Sequence, residues 1–169
     1  MGPCKLAANA TPPVTVLSGY QRLPRNGYAP VLSALSAHGP LAVNVDASAW
    51  FEYDSGVFDG CSATQPDIDH AVTLVGYGSD AEDGDYWLIR NSWGTAWGEA
   101  GYMRLARSAT ASCASDITPF DGSDCRNVTN PVNAVTVCGE CGILYDVSYP
   151  VIEPPWLQAD GGKPDVAVQ

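Results

Sequence analysis

The sequence predicts an α+β domain that is mostly β, with one short helix near its start. Three observations carry that expectation. The 169 residues include 17 Gly and 13 Pro, a composition that interrupts helices and favours strands and turns. Leu41, Val43 and Val45 alternate with Ala42, Asn44 and Asp46, the period of a strand buried on one face. Ala71 to Val75 and Tyr86 to Asn91 are short apolar runs bounded by turn residues, as buried strands are.

Taken in order, residues 1–19 are rich in Pro, Thr, Ala and Val and read as an irregular lead-in. Tyr20 to Pro24 reads as a short strand ahead of the Arg25-Asn26-Gly27 turn. Val31, Leu32, Leu35 and Ser36 fall at helical spacing, which predicts a helix over Pro30 to Ala37 with proline near its start. Gly39-Pro40 ends it, and the Leu41 strand follows. Trp50 to Phe58 carries several aromatics around a Ser55-Gly56 turn. The acidic stretch Ser79 to Asp85 joins the two apolar strands, and Gly101 to Arg107 forms a third. Ser108 to Asn133 is polar, holds two cysteines and reads as a surface insertion. Ile143 to Tyr149 is the last strand. The expected organisation is one domain over residues 1–150, with a Cys-containing insertion at about 108–137, and an irregular tail over 151–169.

Composition bounds the function. At 46% apolar and 16% charged the chain is globular, and its length suffices for a real core. A net charge of −11 argues against nucleic acid or an anionic membrane as partner. No apolar run approaches the ~20 residues of a membrane span. Met1-Gly2-Pro3-Cys4-Lys5 does not open like a signal peptide, yet six cysteines suit an oxidising compartment. The two together predict a chain whose beginning, with any targeting segment, lies elsewhere. Asn9-Ala10-Thr11 and Asn127-Val128-Thr129 match the glycosylation triplet.

Two segments carry chemistry. The first is Asp67-Ile68-Asp69-His70-Ala71-Val72-Thr73-Leu74-Val75-Gly76-Tyr77-Gly78. The second runs Tyr86-Trp87-Leu88-Ile89-Arg90-Asn91-Ser92-Trp93-Gly94-Thr95-Ala96-Trp97-Gly98-Glu99-Ala100-Gly101-Tyr102. His70 precedes a Val-rich strand, and Asn91 ends the next one, so an antiparallel pair could set them side by side. An Asn side-chain oxygen there can accept the ring N–H and hold one tautomer. His38 has no such context and reads as an ordinary surface or core histidine. Trp97, Gly98 and Gly101 read as turn and packing residues, and Asp80, Glu82, Asp83 and Asp85 as a solvated loop without calcium-loop spacing.

In order and identity these segments resemble the histidine and asparagine segments of papain-like cysteine proteases. The resemblance implies the mostly-β right-hand domain of that family, a twisted antiparallel sheet or partial barrel. It implies His70 and Asn91 as catalytic, with Trp93 shielding their hydrogen bond. The family's nucleophilic cysteine lies well over a hundred residues before the histidine, in a Cys-Gly-Ser-Cys-Trp type motif. Only 69 residues precede His70, and no cysteine is followed by Trp or Tyr. Cys138-Gly139-Glu140-Cys141-Gly142 lies after the histidine and leads into a run like the family's closing element. Gln21 and Gln65 stand in the wrong context for the oxyanion glutamine. The expectation is therefore the C-terminal portion of a cysteine endopeptidase, inactive alone because nucleophile and oxyanion donor are missing.

The resemblance further implies substrate contacts at Asn44, Ile68, Asp69, Ala71, Trp93 and Asp146, with Asp146 at the floor of the second pocket, where its carboxylate could meet a substrate Arg. It implies a Cys61–Cys141 disulfide and a partner for Cys4 in the missing half. Cys113, Cys125 and Cys138 have no counterparts; Cys113–Cys125 or Cys125–Cys138 would staple the insertion. A zinc site from Cys113, Cys125, Cys138 and Cys141 has only one knuckle-like spacing, so disulfides are preferred. No metal or organic cofactor is implied. The expected partners are a peptide or protein substrate and a separate N-terminal half or chain, in a lysosomal, vacuolar or secreted setting. The contrasting reading is a pseudo-protease or binding module that keeps half a cleft and performs no chemistry.

Overall fold

The structure is a computed structural model that describes residues 17–110, 112–119 and 133–152. The expected features at Cys4, Asn9, Asn127, Cys125 and the tail beyond Ile152 lie outside those residues. The described elements are β1 (Leu17–Arg22), α1 (Tyr28–His38), β2 (Leu41–Val45), β3 (Val57–Phe58), β4 (His70–Asp80), β5 (Gly84–Arg90), β6 (Tyr102–Ala106), β7 (Cys113–Asp116), β8 (Val135–Cys138), a 3-10 turn at Glu140–Gly142, and β9 (Val147–Ile152). The fold is mostly β with one helix, around an open mixed sheet.

Contacts divide the chain into two units. In the smaller, the described residues Leu17–Gln21 and Pro150–Ile152 pair as strands, and Ser18 Oγ donates to Val151 O at 3.3 Å. The larger, Arg22–Tyr149, holds the sheet in the order β9-β2-β4-β5-β6-β3. Its pairs are antiparallel except β3 on β6, which is parallel. The mainly antiparallel sheet expected from the sequence is present, and the two-residue β3 adds one parallel pair at its edge.

Register follows the apolar alternation. Leu41, Val43 and Val45 of β2 stand opposite Leu74, Val72 and His70 of β4. Both strands send these positions to the core, where Leu41, Val45 and Leu74 are fully buried. β5 adds Trp87 and Ile89, β6 adds Met103 and Leu105, and α1 lays Val31, Ala34 and Leu35 on the same core. Each such side chain contributes roughly 1.5–3 kcal/mol by leaving water. The helix starts two residues before Pro30; a proline there lacks only an N–H that the first turn leaves unpaired anyway.

Three expectations need correction. The acidic turn between β4 and β5 is shorter than expected, residues 81–83, because the strands run on until Ser79 stands opposite Asp85 and Asp80 opposite Gly84. The acids are tolerated because cations follow on the neighbouring strand: Arg104 holds Asp80 at 2.9 Å and Arg107 holds Asp85 at 2.9 Å. The closing strand starts at Val147, not Ile143, because Cys141 takes a left-handed backbone (φ 52°) and turns the chain, burying Ile143 and Leu144 as turn residues. The insertion is more than surface. β7 and β8 form a hairpin with Cys113 opposite Cys138, and Asp116 and Val137 are buried.

Both described disulfides fix this arrangement. Cys61 bonds Cys141, with Cα atoms 5.2 Å apart. Cys113 bonds Cys138, which replaces both alternatives routed through Cys125 and removes three of the four candidate zinc thiols.

Candidate active site

His70 opens β4 on the face that carries Val72 and Leu74. Asn91 follows β5 on the face that carries Trp87 and Ile89. Since β4 and β5 are antiparallel neighbours, the two core-facing rows run out at the same end of the sheet. There His70 Nε2 lies 2.9 Å from Asn91 Oδ1. Asn91 is oriented by neighbouring backbone: Ser92 N–H donates to Oδ1 at 2.7 Å, and Asn91 N–H donates to Gly101 O at 3.0 Å. With Oδ1 accepting, Nε2 carries the ring proton and Nδ1 keeps the basic lone pair.

Aromatic rings wall this pair. Trp93 stacks on His70 with centroids 5.3 Å apart, Phe51 stacks on the Trp93 ring, and Trp97 meets Trp93 edge-on. Trp50 meets His70 edge-on at 87°. A hydrogen bond screened from water by such surfaces is stronger than one in solvent. The sequence flagged Trp93 alone; Trp50 and Phe51 were visible only as part of an aromatic cluster, and Trp97 as a turn and packing residue. His38 lies apart, stacked on Tyr149 at 4.4 Å.

The candidate substrate residues fall into two groups. Asn44 and Ala71 are register partners and share a face of the sheet, and Asn44 Nδ2 donates to Asp146 Oδ2 at 2.7 Å. Ile68 and Asp69 lie in the segment leading into His70. Asp69 Oδ1 accepts from Ala47 N–H, and Ile68 Cδ1 would lie 2.5 Å from a Cβ at position 142. Gly142, at φ +70°, is the residue that leaves room.

Asp146 is not an open anion. Arg22 donates to its Oδ1 at 2.6 Å, so the carboxylate already has a cation from its own chain, a partner the sequence gave no sign of. Beside the cysteine corner, Glu140 accepts from Cys61 N–H at 2.8 Å, and burial pushes its carboxyl above the usual range. Asn91 Nδ2 is buried and has no hydrogen-bond partner among the described residues. Asn91 as a residue also borders a depression of about 450 Å³, lined with it by Ala71, Val72, Thr73, Arg90 and Ser92.

Comparison with known proteins gives this geometry a setting. A profile of the papain family cysteine protease domain matches residues 1–123. The chain is 36% identical over 152 residues to the cysteine endopeptidase Rep1 of Oryza sativa subsp. japonica, covering 89% of this chain and 33% of that protein. It is 42% identical over 106 residues to fruit bromelain of Ananas comosus, covering 62% of this chain and 29% of that protein. Among solved structures, bromelain from Ananas comosus in complex with the E64 inhibitor superposes with a TM-score of 0.61 at 36% identity, covering 87% of this chain and 56% of that one. The chain thus spans about a third of the length of the curated relatives it matches.

Proposed function

This chain belongs to the papain family of cysteine proteases, and we propose on that footing that it supplies the histidine and asparagine wall of a peptide-hydrolysing cleft. The observation that carries the reading is the His70–Asn91 contact of 2.9 Å beneath Trp93. A thiol brought to Nδ1 would give its proton to His70, leaving a thiolate–imidazolium pair that Asn91 keeps aligned. The thiolate would attack the peptide carbonyl, and His70 would return the proton to the leaving amine. Water, deprotonated by the same nitrogen, would then release the acyl group.

In this reading the thiol comes from a portion of the protein outside the described residues, or from another chain. Every described cysteine is in a disulfide, so none can serve as nucleophile beside His70. The depression at the Asn91 end of β5 supports a contact with that portion. Asn44, Ile68, Ala71, Trp93 and Asp146 would line the substrate side, with Asp69 bracing the loop after β2. Two disulfides support an oxidising location, lysosomal, vacuolar or secreted. Residues 1–150 would act as one protease half-domain.

The test is complementation. The chain is refolded with the cysteine-bearing first domain of a papain-family relative and assayed on a fluorogenic peptide. Hydrolysis that His70→Ala abolishes supports the reading. Hydrolysis by the chain alone, blocked by a thiol-alkylating reagent, would sink it; peptide binding with no turnover in any pairing would favour the binding-module reading instead.

A further inference from the structure

We propose that the disulfide-stapled β7–β8 hairpin is a positioning element for the candidate active site, acting through Asp116 on the segment that leads into His70. Asp116 ends β7 and is 0% exposed. Its Oδ2 accepts the N–H of Ile68 at 3.3 Å, two residues before His70. Its Oδ1 accepts the N–H of Thr118 at 2.8 Å, which closes the turn after β7 around the carboxylate. The Thr118 hydroxyl stands 3.5 Å from Asp67 Oδ1, a second reach to the same segment.

Burying a carboxylate is costly unless its oxygens are met, and here each oxygen accepts a backbone N–H that an apolar residue would strand. What the carboxylate adds is direction. One side chain fixes two backbone N–H groups on separate pieces of chain, so Ile68 cannot shift without breaking a buried bond. The other anchors of the segment come from the domain proper: Asp67 N–H donates to Asp46 Oδ2 and Asp69 N–H to Val45 O. The Ile68 N–H is held by Asp116 at the end of β7. Its side chain packs against Gly142, and Val137 of β8 flanks the same glycine. The Cys113–Cys138 bond locks β7 to β8, so Asp116 and Val137 address Ile68 as one rigid piece. Displacing Ile68 would move both the substrate wall and the approach of the His70 ring to Asn91.

This inference rests on the proposed function for its meaning, but its readout does not need turnover. The chain has two histidines, and His38 serves as the internal control. Asp116→Ala and Asp116→Asn are compared with the parent by amide hydrogen exchange and by NMR of the imidazole ring signals. Asn keeps one carbonyl acceptor and cannot satisfy both N–H groups. The expected result is at least tenfold faster exchange at Ile68 and a shift of the His70 ring signals, with His38 and the β5–β6 amides unchanged. In the complemented enzyme, Asp116→Asn should raise KM more than it lowers kcat. Unchanged His70 signals and Ile68 exchange in Asp116→Asn would overturn the proposal. If Asp116→Ala unfolds throughout, the Asn variant decides alone. Should complementation yield no hydrolysis, the functional reading fails while the ring signals still report on the positioning.

Discussion

Removing the Cys61–Cys141 disulfide should cost more stability than any other single crosslink change described here. The bond spans 80 residues, against 25 for Cys113–Cys138. Restricting an unfolded loop of the longer size is worth about 4.5 kcal/mol in the chain-entropy treatment, and of the shorter about 3.5 kcal/mol. A second contribution is local. The fully buried Trp50 donates its indole N–H to Cys141 Sγ at 3.3 Å, and Cys61→Ala with Cys141→Ala strands that donor. An orphaned buried N–H costs a further ~1–3 kcal/mol. The sum is a large part of the 5–15 kcal/mol that holds a typical domain folded. The assay is urea unfolding of the parent, the Cys61/Cys141 double Ala variant and the Cys113/Cys138 double Ala variant, followed by tryptophan fluorescence and far-UV circular dichroism. The first variant should lose at least ~1 kcal/mol more than the second, given the loop lengths alone. A loss below ~1 kcal/mol for the first, or the reverse order, would refute the reasoning, because neither loop entropy nor the Trp50 contact could then be operating.

Asn91→Ala should lower kcat in the complemented enzyme by at least about tenfold, the rate equivalent of one net hydrogen bond, while peptide KM changes little; unaltered kcat would mean that the ring needs no help from Asn91. Arg22→Ala should free the Asp146 carboxylate and raise hydrolysis of peptides with Arg at the second position relative to Leu several-fold, at a stability cost of only ~0–1 kcal/mol because Arg22 is half exposed. An unchanged Arg-to-Leu ratio would show that Asp146 does not reach the substrate. Glu140 is pushed up by burial, so its neutral form suits the fold; its contribution is fully present below the ordinary carboxyl value of 4.5 and is lost as pH rises from there through the raised value. Glu140→Gln should therefore flatten the decline in thermal stability on that rising side. Glu99 runs the other way: the Arg104 hydrogen bond holds it down, so its stabilisation is present above 4.5 and lost as pH falls through the lowered value, and Glu99→Gln should remove that acid-side loss in the same scan.

Local pattern made β2 legible to the residue, since Leu41, Val43 and Val45 meet one core and nothing competes with their alternation. The same logic located the strands behind His70 and Asn91, and hence the end of the sheet at which they meet. It stopped at Ser79 to Asp85, where four acids and two nearby glycines speak for solvent. Arg104 and Arg107, some twenty residues on, pair with Asp80 and Asp85 where the strands run past the expected ends of the turn. Asp116 was hidden for a related reason. In a polar run a carboxylate reads as surface, and its burial depends on donors at Ile68 and Thr118 that no periodicity relates to it. Arg22 on Asp146 joins residues 124 apart in sequence, beyond the reach of any local signal.

An open sheet has a rim, and the rim at β3 is shaped against self-assembly. β3 is two residues long and lies parallel to β6, so it offers another chain too few unpaired backbone groups to template a further strand. With a net charge of −11 setting copies against each other, growth by lateral pairing is discouraged at that border both geometrically and coulombically. Any tendency of this chain to cluster at high concentration should therefore respond to apolar co-solvents that wet exposed rings such as Phe51 and Tyr77, and hardly at all to substitutions in Val57 and Phe58.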